Sequence, residues 1–332
     1  MKKIQFSDLT DNILLVDVLF FCLLVALLLE GAHGLSKNDV SPPPPINIIV
    51  IGGSSGMGKA AAIACLKRGG KALIISRSKD KIEKAADEIR SHAPTAATSS
   101  SSLSSSSSNS DEVVVVETAV FNTTGEDAIK KFVSEKLSLT SSRCSTTRTW
   151  DGLVISAAGK ASHGPVTVLS TKSTRVYLFE SKFWCAYHCA KHIDSQLQNG
   201  GGIVFVAGVL NRRPGLNCAP LASTNGTFEG LTRALALELG PKLRVNCLSP
   251  GFCDMERFDH MDPNKKSAML ANTADSLPLK RTRIPEDMGE AIYYLLTAKF
   301  CTGVILDVDG GHGNSTIRKP KQRSDAAAAA TK

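Results

Sequence analysis

Seven short apolar runs alternate along this chain with segments of helical pattern. The runs are Asn47–Ile51, Ala72–Ser76, Val113–Thr118, Gly152–Ser156, Ile203–Ala207, Arg244–Leu248 and Val304–Val308. Helical patterns lie between them, over Lys79–Ser91, Asp127–Leu137, Thr174–Gln196, Ala222–Leu239 and Pro285–Thr297. Runs such as IIVI and LVIS are apolar at successive positions rather than at every second one, so both faces of each strand must be buried. Strands joined through helices run parallel, and the helices cover the two faces. The alternation therefore predicts an α/β fold: a doubly wound parallel sheet of about seven strands in one domain spanning residues 46–313.

Three segments stand outside this rhythm. Residues 95–111, TAATSSSSLSSSSSNSD, hold almost nothing apolar and cannot bury enough surface to offset their ordering entropy, so a disordered insertion is expected there. Residues 314–332 are basic and then alanine-rich, and are expected to form a disordered tail. That tail carries Arg318, Lys319, Lys321, Arg323 and Lys332 against Asp325 alone, half of the formal net charge of +8. A nucleic-acid footprint needs basic residues clustered on a folded face, and none is visible, so no nucleic-acid partner is expected. Residues 13–29, ILLVDVLFFCLLVALLL, are broken only by Asp17 and follow Lys2 and Lys3. Such a run reads as a signal anchor, or as a cleaved signal peptide with small residues at Ala32–Gly34. Residues 1–45, ending in a proline-rich spacer, are then a targeting segment, and the protein is expected at a membrane or in the secretory pathway. The nine cysteines are odd in number and irregularly spaced, which fits buried free thiols better than a disulfide framework.

The stretch IIVIGGSSGMGKAAA carries the first chemistry. Gly52, Gly56 and Gly58 have the spacing G-x-x-x-G-x-G, directly after the first strand and at the start of a helix. A chain that must turn sharply, let a pyrophosphate reach its backbone and aim a helix N-terminus at it needs glycines there. A dinucleotide site is expected at Gly52, Ser54, Ser55, Gly56, Met57 and Gly58.

With these motifs the chain resembles the short-chain dehydrogenase/reductases, over about Ile46 to His312, and the fold this implies is of the Rossmann type. The family's T-G-x-x-x-G-x-G matches Ile51–Gly58 with isoleucine for threonine; its N-N-A-G matches Ser156, Ala157, Ala158 and Gly159. Its RVN…PG matches Arg244 to Gly251, and its closing TG…VDGG matches Thr302, Gly303 and Val308–Gly311. The resemblance implies a nicotinamide cofactor held also by Ala157, Ala158, Gly159, Pro250 and Gly251, with Asn122 beside the adenine. It implies a small-molecule substrate and a homo-oligomer. At the end of the second strand a ribose 2′-hydroxyl would call for a carboxylate and a 2′-phosphate for a guanidinium. The sequence offers Ser76 and Arg77, which points to NADP(H) over NAD(H) unless Arg77 merely faces water or caps the next helix.

The resemblance also implies a serine, a tyrosine and a lysine four residues on, with an asparagine on the preceding long helix. In register with EGLTRALALEL these positions hold Gly208, Leu221, Asn225 and, for the helix asparagine, Glu180; Met255 stands where many members have threonine. The usual proton donor is thus replaced. Lys160, His163 and Ser223 are the candidate substitutes, with Thr224 nearby and Arg213 a candidate for anion binding. Cys185, His188, Cys189 and His192 are metal-ligand types at helical spacing, but four ligands on one straight helix cannot surround an ion, so no metal is expected. The expected function is an NADP(H)-dependent oxidoreductase acting on a carbonyl/alcohol pair; the alternative is a dinucleotide-binding sensor or scaffold without catalysis.

Overall fold

The computed structural model describes residues 44–94, 116–120, 125–137, 150–159, 163–252, 259 and 261–312. Strands β1 (Asn47–Ile51), β2 (Lys71–Ser76), β3 (Val116–Val120), β4 (Trp150–Ile155), β5 (Leu197–Val206), β6 (Leu243–Pro250) and β7 (Ile305–Val308) form one sheet in the order β3-β2-β1-β4-β5-β6-β7. Every neighbouring pair is parallel. The direction of winding reverses between β1 and β4, and a crevice for ligands opens at the carboxyl ends of strands at such a point.

The alternation of side chains explains the double layer. Ile48, Val50, Ile74, Val154 and Val204 pack on one face against Ala61 and Leu66 of α1 (Gly56–Leu66), Ile82 and Ile89 of α2 (Lys79–Arg90), and Met288 and Ile292 of α7 (Pro285–Thr297). Ile49, Ile51, Ile75, Leu153, Ile155 and Ile203 face the other way. They meet Ile129 of α3 (Glu126–Phe132, continued over Val133–Leu137), Cys185 and Cys189 of α4, and Phe228 of α5 (Ala219–Glu238). Each such side chain removed from water contributes about 1.5–3 kcal/mol. Helix α4 runs over residues 171–193, and its middle stretch, Arg175–Trp184, is wound as a π-helix.

The expected strands are all present, with β5 beginning earlier than Ile203 and β3 ending later than Thr118. One helix was not legible: α6 (Pro263–Ser276) buries no residue and so carries no apolar stripe. Residues 13–29, 95–111 and 314–332 lie outside the described residues. Among the described residues no helix is long and apolar enough to cross a membrane.

Candidate active site

The turn after β1 is built by glycine at the two places where nothing else fits. Gly52 has φ +89° and a Cβ there would lie 2.7 Å from the Ala157 amide nitrogen. A Cβ on Gly58 would lie 2.5 Å from the Gly52 carbonyl oxygen. The Gly52 and Gly53 amides both donate to the Ile75 carbonyl, at 2.9 and 3.2 Å, which ties the turn to β2. Ser156 closes it from β4, its hydroxyl donating to the carbonyls of Ile51 and Gly52 at 3.2 Å each. Helix α1 starts at Gly56, its N-cap Ser55 makes no side-chain cap, and its first turn holds no acid. This is a positive helix end aimed at the crevice with its backbone brought close, the arrangement that suits a pyrophosphate.

Ser54 and Ser76 join the turn to the end of β2 through a 2.8 Å hydroxyl pair. Arg77 follows and is exposed. It sits before the N-terminus of α2, where a cation gains nothing from the helix dipole, and the N-cap of that helix is Ser78. Capping therefore does not account for Arg77. Ala157, Ala158 and Gly159 lie past the end of β4, Pro250 is the last residue of β6 and Gly251 follows it, all on the same rim as the glycine turn. Gly159 presses on α4: its amide donates to Ser181 Oγ at 3.0 Å, and Ser181 Oγ donates to the Tyr177 carbonyl at 2.5 Å. Asn122 and Lys160 lie outside the described residues, as does Met255.

Deeper on the rim, α4 and α5 meet behind Gly208. Asn225 is 2 % exposed and Lys182 6 %. Lys182 Nζ donates to Asn225 Oδ1 at 2.7 Å and to the Ala207 carbonyl at 3.1 Å, and lies 5.5 Å from the centre of the Phe228 ring. An ammonium only donates, so the amide oxygen of Asn225 must face it and the amide nitrogen must face away. That nitrogen lies over Gly208, 2.8 Å from where a Cβ would be.

The sequence pattern of the family described as "Enoyl-(Acyl carrier protein) reductase" matches residues 120–313. The short-chain dehydrogenase/reductase ATR9 of Stachybotrys chlorohalonatus is 28% identical over 267 residues, 80% of this chain and 96% of that protein. The chain belongs to the short-chain dehydrogenase/reductase family. A short-chain type dehydrogenase/reductase from Mycobacterium ulcerans superposes with TM-score 0.67 at 21% identity, over 83% of this chain and 92% of the other. A small-chain dehydrogenase solved in complex with NADPH superposes with TM-score 0.59 at 24% identity, over 81% and 98%.

In this short-chain dehydrogenase/reductase the other expected side chains are dispersed. Ser223 is exposed and its hydroxyl donates back to the Ala219 carbonyl at 2.9 Å. Thr224 is buried and does the same to Pro220 at 2.7 Å. His163 is exposed, with Nδ1 at 3.4 Å from Cys218 Sγ at the start of α5. Leu221 is half-buried, and Glu180 belongs to the π-helical stretch of α4. The cysteines and histidines of α4 part company: Cys185 and Cys189 enter the core, while His192 and His188 turn to Glu126, at 2.9 and 3.8 Å. Ser181 and Lys182 were not singled out in the sequence, and Ser156 only as the first residue of the segment that matches N-N-A-G. Only Lys182 carried a signal, a lone charge in the apolar stretch KFWCAY.

Proposed function

We propose that this protein binds NADP(H) across the ends of β1, β2 and β4 and interconverts a small-molecule carbonyl and its alcohol. The observation that carries this reading is the exposed Arg77 at the end of β2, beside a glycine turn whose backbone is packed too closely at Gly52 and Gly58 for a side chain. A guanidinium there can take a 2′-phosphate through two charge-assisted bonds and offers a 2′-hydroxyl no acceptor. Gly52, Ser54, Ser55, Gly56, Met57 and Gly58 would hold the pyrophosphate side, Ser76 and Arg77 the adenosine ribose, and Ala157, Ala158, Gly159, Pro250 and Gly251 the rest. When bound, the nicotinamide supplies or accepts a hydride. The solved relative in complex with NADPH supports the choice of cofactor.

The protein's own part is to place the carbonyl and to steady the charge on its oxygen. Gly208, Leu221 and Asn225 take the positions at which the family resemblance implies serine, tyrosine and lysine. Loss of a positioned general acid typically slows proton transfer by about 10²–10⁴. Slow turnover on simple ketones is therefore expected, together with intact cofactor binding, because the cradle rests on backbone. The test is consumption of NADPH by the purified chain across aldehydes, ketones and quinones. Turnover on at least one class supports the reading; NADPH that binds but is never consumed contradicts it and favours a sensor or scaffold.

A further inference from the structure

Two side chains beside Ala207 and Gly208, just past the carboxyl end of β5, are buried, polar and in contact although 43 positions apart in sequence: Lys182 on α4 and Asn225 on α5. A buried ammonium is costly unless acceptors surround it. Here Asn225 Oδ1 and the Ala207 carbonyl supply acceptors, and the Phe228 face adds a further favourable contact. The amide nitrogen of Asn225 is turned the opposite way, over Gly208, and no described residue accepts from it. A side chain at position 208 would collide with that nitrogen, so the glycine and the amide belong together. The lysine, the asparagine and the glycine form one built unit.

We infer that Lys182 is the positioning residue of this cleft: it supplies a positive charge from α4 and fixes the Asn225 amide so that Nδ2 donates to the oxygen of a bound carbonyl. The inference rests on the proposed reductase function and names the donor that site uses. A bound NADPH would supply the hydride to the carbonyl carbon and become NADP+, and the C=O electron pair would then rest on the oxygen. Asn225 Nδ2 donates to that oxygen, more strongly because the ammonium polarises the amide from behind. Lys182 keeps its proton, and the alkoxide takes one from water, leaving hydroxide to the buffer. The positive charge that the family resemblance places at position 225 is thus present, but enters from the neighbouring helix.

The geometry also predicts how variants combine. Asn225→Lys alone sets a second ammonium against that of Lys182 and should lower the melting temperature. Asn225→Lys with Lys182→Asn exchanges the partners and should recover both melting temperature and turnover. Lys182→Gln should lower kcat by about 100-fold or more, the usual loss for one oxyanion donor, with KM for the carbonyl and the Kd for NADPH each within about threefold of wild type. The experiment measures melting, NADPH affinity by calorimetry, and kcat and KM on the best carbonyl of the screen, for the full chain and these three variants. A merely structural lysine would change melting and leave kcat alone. Wild-type kcat in a folded, NADPH-binding Lys182→Gln protein overturns the inference and leaves the proposed function standing. So does an exchanged pair that folds, binds NADPH and is no more active than Lys182→Gln. Failure of wild type to bind NADPH overturns the proposed function itself, and bound NADPH that wild type never consumes overturns both.

Discussion

Single residues decide the shape of the glycine turn because the backbone is already in contact with itself there. Gly58 has the Gly52 carbonyl 2.5 Å from where a methyl would go. Gly58→Ala must push the turn away from α1, so the Kd for NADPH should rise at least about tenfold while the sheet survives; calorimetry and a melting curve without ligand separate the two effects. An unchanged Kd would show that the turn does not hold the cofactor. The same scale shows what the sequence could and could not reveal. The glycine turn was legible because its shape depends on neighbours in the chain. The partnership of Lys182 with Asn225 was not, because a fit of one residue to one family position does not ask which side chain arrives from another helix. Nor does it reveal that placing serine, tyrosine and lysine at 208, 221 and 225 would set the new lysine against Lys182.

At the scale of elements, two junctions carry most of the polar stakes. Arg244 at the start of β6 donates to the carbonyls of Leu295 and Ala298 at 2.9 Å each, and to that of Leu296. It thereby satisfies the C-terminal end of α7 and places a cation where the helix dipole favours one. Burial holds its pKa below the usual arginine value. Arg244→Met removes the guanidinium from the Leu296 and Ala298 carbonyls and leaves Leu295 only the 3.5 Å bond from Asn246 Nδ2, and should cost about 2–4 kcal/mol in denaturant unfolding. A loss under about 0.5 kcal/mol would mean that water replaces the guanidinium there.

The second junction joins α3 to α4. Glu126 faces His192, Lys191 and His188, with Lys130 on its own helix. The His192 hydrogen bond, then Lys191, pull the Glu126 pKa from 4.5 to about 2. Burial pulls His188 below its ordinary 6.5, outweighing the raising effect of Glu126. Both pKa values are depressed in the fold, so the unfolded chain binds more protons and stability rises with pH and is lost on acidification. The His188 contribution is whole above about 6.5 and is lost below it; the Glu126 contribution is whole above about 4.5 and is lost toward about 2. Melting temperature should therefore drop in two stages on acidification. His188→Gln should flatten the upper stage and Glu126→Gln the lower, and variants whose curves run parallel to wild type would refute the assignment. The helices themselves were legible where they bury a stripe, as with Ile82, Ala85, Ala86 and Ile89 of α2. Helix α6 has no such stripe, and only its N-cap Asp262 and the following Pro263 mark its start.

For the whole molecule, the order β3-β2-β1-β4-β5-β6-β7 gathers the glycine turn, Arg77, the Ser156–Gly159 loop and the Lys182–Asn225 pair on one rim. The fold was readable because the inner strands β1, β2, β4, β5 and β6 are buried on both faces and leave apolar runs, whereas the edge strands β3 and β7, partly open to water, carry Glu117 and Asp307 and leave weaker ones. Of the site, the sequence made legible the glycine turn, where the motif is local. The central claim is that this rim holds NADP(H) and that Arg77 selects it. A charged hydrogen bond of about 1.5–3 kcal/mol corresponds to roughly a 10- to 150-fold preference. Titrating the full chain and Arg77→Ala with NADPH and NADH in a calorimeter tests this most directly. The account predicts that wild type binds NADPH at least about tenfold more tightly than NADH, and that Arg77→Ala loses this preference while keeping its NADH affinity. Equal affinities in wild type, or a preference that survives Arg77→Ala, would contradict it.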